Sequence, residues 1–254
     1  MAIASCGGVT YEEQHRHTPP VNTVSNSTDS VTAVKNTPPL PLDKRWVAGH
    51  EVSLTEVEAT GIEKCFTAEE IPDAIFSKMQ GKSWPTHCTL HRSDLRYLRI
   101  LHNNADGNPQ MGELMVNKKI ADKVLKIFRK LYDNGYRIER MVLVDNYDGD
   151  DDASMRDNNT SSFNYRCVPG TKSISRHSYG LAIDLNPFYN PYIDSKSVVR
   201  PSNAEKYAFG RDTAEIPYKI DRNDLAYKLF RAEGFGWGGA WSRSKDYQHF
   251  EWRD

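Results

Sequence analysis

The sequence predicts an α+β domain, a small antiparallel sheet with flanking helices, placed behind a polar N-terminal tether. Three observations lead there: stretches of helical apolar periodicity, short strand patterns that do not alternate regularly with them, and an N-terminal segment of different composition. In residues 18–41, 13 of 24 are Ser, Thr or Pro and none is aromatic, so this segment buries too little apolar surface to offset its chain entropy. The resulting division is a disordered tether over 1–45 and a folded domain over 46–254. The tether also accounts for an apolar share of 38%, below the roughly 45–50% usual for globular chains.

Within the domain, residues 68–79 have a helical pattern, with Thr67 as N-cap and Glu70 completing a capping box. Residues 95–101 read as a strand. Residues 117–132 form the clearest helix, because Ile120, Val124, Ile127, Phe128 and Leu131 make one apolar stripe and Asn134-Gly135 stops it. Residues 141–144 read as a strand. Residues 145–173 are polar and show little periodicity, and loops of that length inside a compact domain are usually functional. Leu181, Ile183 and Leu185 then alternate with Ala182 and Asp184, the pattern of a half-buried strand with Asp184 opposite the apolar face. Residues 224–232 predict a helix closed by Gly234, and 249–252 a short final strand.

A net charge of -1 and a pI near 6.7 provide no global positive field, so nucleic acid is not expected as a partner. No run approaches 18 apolar residues, so no transmembrane helix is expected. Ile3-Ala4-Ser5-Cys6-Gly7 resembles a bacterial lipobox, in which a signal peptide is cut before a Cys that then receives lipid. Only Met1 and Ala2 precede it, so the reading is a lipoprotein with its signal trimmed, anchored through Cys6 at the bacterial cell envelope. No C-x-x-C spacing occurs, which argues against a cysteine zinc site. An envelope location permits one disulfide among Cys65, Cys88 and Cys167, and the sequence does not select the pair.

The candidate chemistry lies in His177-Ser-Tyr-Gly-Leu-Ala-Ile-Asp184 and, far downstream, Asp246-Tyr-Gln-His249-Phe-Glu-Trp252. Two His and one Asp suit catalytic zinc, which takes three N or O ligands and keeps a fourth position for water. Gly180 and Ala182 let the backbone turn tightly, and Asp246, three residues before His249, is close enough to share the metal's water.

Ser175-x-His177-x-x-Gly180-x-Ala182-x-Asp184 and Asp246-x-x-His249 resemble the two metal-binding signatures of the M15 family, the zinc D-Ala-D-Ala carboxypeptidases and L-alanyl-D-glutamate endopeptidases. Asn158-Asn-Thr-Ser-Ser-Phe-Asn-Tyr-Arg166, Asn186-Pro-Phe-Tyr-Asn-Pro-Tyr192, Gly236-Trp-Gly-Gly-Ala-Trp241 and Gly112-Glu-Leu-Met-Val-Asn117 are similar to its phage and bacterial cell-wall endopeptidase branch. The resemblance is strongest over 83–252. It implies a hedgehog/DD-peptidase-like zinc domain, with Zn²⁺ on His177, Asp184 and His249, Asp246 as catalytic base, and Arg166 holding substrate or the developing oxyanion. The implied reaction is hydrolysis of an amide in a peptidoglycan stem peptide, with carboxypeptidase and endopeptidase modes both open. A different class shares the implied fold: a non-catalytic zinc-containing module that binds cell wall or a partner. A base at Asp246 favours the enzyme.

Other residues have quieter readings. Trp241, among glycines, is a candidate for the substrate groove, whereas Trp237 reads as core. Ser175 is a hydrogen-bonding substrate-site residue rather than a nucleophile, since water already supplies one. Asp148, Asp150, Asp151 and Asp152 lack the EF-hand order and read as a solvated loop. Arg211 is a further candidate for the site.

Overall fold

The computed structural model describes residues 40–168 and 171–253. The lipobox with Cys6, and the tether as far as residue 39, lie outside the described residues. Leu42, on the tether side of the expected boundary at 45, is fully buried in a cluster with Val52, Val57, Cys65, Leu101 and Met111.

The chain begins with a 3₁₀ turn, Leu42–Lys44, and helix α1, Leu54–Thr60, which Ser53 and Glu56 cap reciprocally. Strand β1, Phe66–Glu69, and helix α2, Asp73–Met79, occupy the region expected to be one helix. The correction has a local cause. Thr67 is drawn into the sheet opposite Arg99, and Pro72 takes an extended conformation that restarts the chain as a helix one residue later. Strands β2, Leu95–Asn103, and β3, Pro109–Asn117, complete an antiparallel sheet in the order β1-β2-β3.

Helix α3, Ala121–Asp133, lays its expected stripe into the main core, and Gly135 follows it at φ 66. It begins after the expected start at 117, because Asn117 still belongs to β3. Residues 141–144 do not form the expected strand. Their backbone is satisfied piecemeal: Met141 accepts from Glu113 N, while Val142 and Leu143 donate to the side chains of Asn159 and Glu113.

Helix α4, Asp151–Arg156, lies in the long polar stretch and is capped by the Asp150 carboxylate. Two small sheets follow. One is ordered β4-β9-β7, from Ala182–Asp184, His249–Glu251 and Gly236–Trp237; the other is β6-β5-β8, from Val199–Arg200, Tyr192–Ile193 and Lys245–Asp246. Helix α5, Leu225–Ala232, is capped by Asp224 and followed by Gly234 at φ 95. Mixed helices and small antiparallel sheets of this kind are an α+β arrangement.

The main core joins the large sheet, α3, α5 and β4-β9. Phe230 is central to it: it stacks on Phe250 at 4.2 Å and meets Phe128 and Phe235 edge-on. Trp237 packs there too, donating Nε1–H to Tyr247 O. Cys65, Cys88 and Cys167 are all unpaired, and Cys65 and Cys88 pack in separate apolar clusters, so the one disulfide the sequence permits among them is not present among the described residues. Among the described residues, no helix is long and apolar enough to cross a membrane.

Candidate active site

Strand alternation and register assemble the site. In the β4-β9 pair, Asp184 stands opposite His249, Ile183 opposite Phe250, and Ala182 opposite Glu251. Side chains directly opposite share a face, so Ile183 and Phe250 enter the core while Asp184, His249 and Glu251 lie on the other side.

His177 comes from a 3₁₀ turn, Arg176–Tyr179, whose N-cap is Ser175; its hydroxyl accepts from His177 N. Gly180 ends the turn at φ 63, and a Cβ there would lie 2.7 Å from Asn117 N. That approach fixes the turn on the end of β3, where Asn117 N donates to Gly180 O at 2.8 Å.

The three predicted ligands converge. His177 Nε2 is 3.1 Å from Asp184 Oδ2 and 3.2 Å from His249 Nδ1, and His249 Nδ1 is 2.9 Å from Asp184 Oδ1. These separations approach the roughly 3.3 Å edge of a tetrahedron with ligand bonds of about 2.0–2.1 Å. Tautomers support the same reading. His177 Nδ1–H donates to Ser162 O at 2.6 Å, which leaves Nε2 with its lone pair. Glu251 Oε2 lies 3.5 Å from His249 Nε2, where it can hold a ring proton and so free Nδ1 for a metal. Two ring nitrogens and a carboxylate, all buried and facing one another, are stabilised by a positive charge between them, either a proton on His249 or a metal, so the group could hold a metal.

The charge balance expresses that demand. Burial opposes ionisation of Asp184, yet His177 and His249 outweigh it and hold its carboxyl far below the usual range. Burial likewise opposes charge on His249, but hydrogen bonds with Asp184 and Glu251 push its imidazole up to about 10. A proton and a metal therefore compete for this position.

Asp246, on β8, is beside the ligands, with Oδ2 4.0 Å from His249 Nδ1, and its Oδ1 is buried without a hydrogen-bond partner. Burial raises its carboxyl well above the ordinary range, with Asp184 adding to the effect and His249 and Arg166 opposing it. Gly238 backs it closely: a Cβ there would meet Asp246 O and Cβ at 2.7 Å. Arg166 lines the same cleft and pairs with Asp151 at 2.7 Å, while its Nε is buried and unpartnered. Trp241 also lines the cleft, its ring 5.3 Å from that of His249. Ser175 is at the wall, with its hydroxyl already used as the cap.

Arg211 does not join these residues. It is buried elsewhere, donating to Tyr189 O, Tyr207 O and Asn190 Oδ1 and stacking over Tyr247, and so ties a loop together. The four loop aspartates are not one solvated group: Asp148 pairs with Lys82, Asp150 caps α4, Asp151 holds Arg166 and Asp152 pairs with Arg156. Sequence reasoning missed Glu251, although its place two residues after His249 on a strand puts it on the same face. The Ser162 carbonyl carried no such signal.

Residues 169–252 match the family described as D-alanyl-D-alanine carboxypeptidase, of the M15 peptidases. The match holds His177, Asp184, Asp246 and His249, begins three residues after Arg166, and is shorter than the 83–252 over which the motifs were recognised. It supports an M15 family peptidase. No solved structure matches the chain.

Proposed function

We propose that this chain is a zinc peptidase that hydrolyses an amide bond in peptidoglycan stem peptides at the bacterial cell envelope, tethered to a membrane by lipid on Cys6. The observation that carries the reading is the convergence of three metal-ligand atoms, His177 Nε2, an Asp184 oxygen and His249 Nδ1, beside an unpartnered buried carboxyl oxygen of Asp246. His177, Asp184 and His249 would hold the ion. The chemistry that zinc supplies when bound is Lewis acidity and a nucleophilic water near neutral pH.

The chain's own residues do the rest. Asp246 takes a proton from the attacking water at its free oxygen and passes it to the leaving amine. Arg166, held by Asp151, directs positive charge at the oxygen of the cleaved carbonyl. Trp241 walls the cleft beside His249 and limits access of bulk water. Gln248 and Tyr192 also line this cavity of about 230 Å³.

The test is metal analysis of the purified protein together with digestion of isolated sacculi, with and without chelator, read by mass spectrometry of the released muropeptides. Stoichiometric zinc and chelator-sensitive cleavage are expected, and the products identify the bond. Sacculus binding with no cleavage would replace this reading with the binding module. Uptake of labelled palmitate by the precursor tests the anchor separately.

A further inference from the structure

The cleft contains three arginines, and two are engaged by the protein. Arg166 pairs with Asp151 at 2.7 Å, and Arg176 donates to the Trp252 carbonyl. Arg200 is different. Like Arg166 and Arg176 it has a buried Nε without a partner, but among the described residues the rest of its guanidinium forms neither a hydrogen bond nor an ion pair, with Asp194 acting on it only through its field. A half-buried guanidinium that lines a cavity with no hydrogen-bond or ion-pair partner is free to receive a planar anion, since its parallel N–H groups fit a carboxylate.

Its position relative to the reacting centre follows from register. Tyr192 on β5 stands opposite Arg200 on β6 and, on its other side, opposite Asp246 on β8. Arg200, Tyr192 and Asp246 thus form one cross-strand row, and all three line the cleft. Two strand spacings of about 4.8 Å put the Arg200 and Asp246 backbones roughly 10 Å apart, the length of about three extended residues.

We propose that Arg200 is a specificity-determining residue that receives a carboxylate of the peptide substrate, within about three residues of the amide attacked beside Asp246. The inference rests on the peptidase reading above and names what the substrate must carry. Two sources present this group: the free C-terminus of the peptide and the side-chain or unlinked carboxylate of an acidic residue within it. Tyr192, between the two ends of the row, is placed against the intervening peptide.

The test uses the full-length zinc-loaded enzyme and one synthetic stem pentapeptide in three forms: all carboxylates free, the C-terminus amidated, and the internal carboxylates amidated. In the wild type, one of the two amidations is expected to raise KM by about ten- to a hundredfold, the range of a lost charge-assisted contact, with kcat within a few-fold. Which amidation does so identifies the source. Arg200→Gln should raise KM on the free peptide by a similar factor and become indifferent to that amidation, whereas Arg200→Lys should keep part of the discrimination. Melting temperature and zinc content of both variants establish that the fold and metal are intact. Unchanged KM in Arg200→Gln, persistent discrimination in that variant, or a wild type that ignores both amidations would overturn the role of Arg200 while leaving the peptidase reading standing. A wild type that hydrolyses none of the three peptides would overturn both.

Discussion

Gly238→Ala tests the idea that Asp246 acts by position. Gly238 does not need a left-handed backbone, so the substitution acts through space alone. The new Cβ would sit 2.7 Å from both Asp246 O and Asp246 Cβ and 3.3 Å from His249 Cβ, where ordinary contact starts at 3.4 Å. Asp246 must therefore retreat by about 0.7 Å, and His249 by only about 0.1 Å. Overpacking of this kind costs about 1–3 kcal/mol, and displacement of a catalytic group by about 1 Å can cost about a hundredfold in rate. The expected result is a ten- to hundredfold fall in kcat at stoichiometric zinc, measured by metal analysis and peptide hydrolysis on the same sample, with a Tm lowered by a few degrees. Wild-type kcat in a variant of normal metal content would show that the placement of Asp246 against Gly238 does not matter, and the positional argument would be wrong.

Three further outcomes are expected. Asp246→Asn should keep zinc and lose about 10²–10⁴ in kcat, and retention of full activity would leave the reaction without its base. Glu251→Ala should weaken zinc binding about ten- to a hundredfold in a competing-chelator titration, with partial recovery in Glu251→Gln, because Glu251 orients His249; equal affinity in all three proteins would remove that role. Burial pushes the His102 imidazole down from 6.5 to about 4, so the unfolded chain takes up a proton that the folded chain refuses. Stability from this group is complete above about pH 6.5 and is lost as pH falls toward 4, by about 3 kcal/mol over the window. Urea unfolding should show a shallower acid decline in His102→Gln than in the wild type, and parallel declines would contradict the assignment.

Much of the site was legible because its geometry is local. One alternation, Leu181 to Leu185, places Asp184 on the face away from the core, and β9 repeats the device with Phe250 between His249 and Glu251. Helix α3 was equally readable, since all five residues of its stripe are buried. Residues 68–79 misled for a physical reason: the capping box at Thr67 is a local preference, and pairing with β2 overrides it. Nothing local revealed Arg200, whose position depends on the pairing of β6 with β5.

The polar stretch before His177 shows why composition could not give the rest. Asn158, Asn159, Thr160, Ser161, Ser162 and Asn164 are all buried, although their side chains suggest an exposed loop. They replace a regular ladder by bonding backbone groups individually: Asn159 serves both Val142 N and Val142 O, Thr160 accepts from Asn186 N, and Asn158 accepts from Phe188 N. Ser161 pairs in both directions with the Asp184 backbone, and the next carbonyl, Ser162 O, fixes the His177 tautomer. The segment is therefore a rigid wall that sets the orientation of two of the three candidate ligands. Its polarity is what allows irregular backbone to be buried there, because an apolar residue in place of Asn158, Asn159, Thr160, Ser162 or Asn164 would leave a backbone donor or acceptor unpaired at about 1–3 kcal/mol each. Periodicity cannot detect such a wall, since the side chains that build it answer to backbone groups distant in sequence rather than to a repeating face.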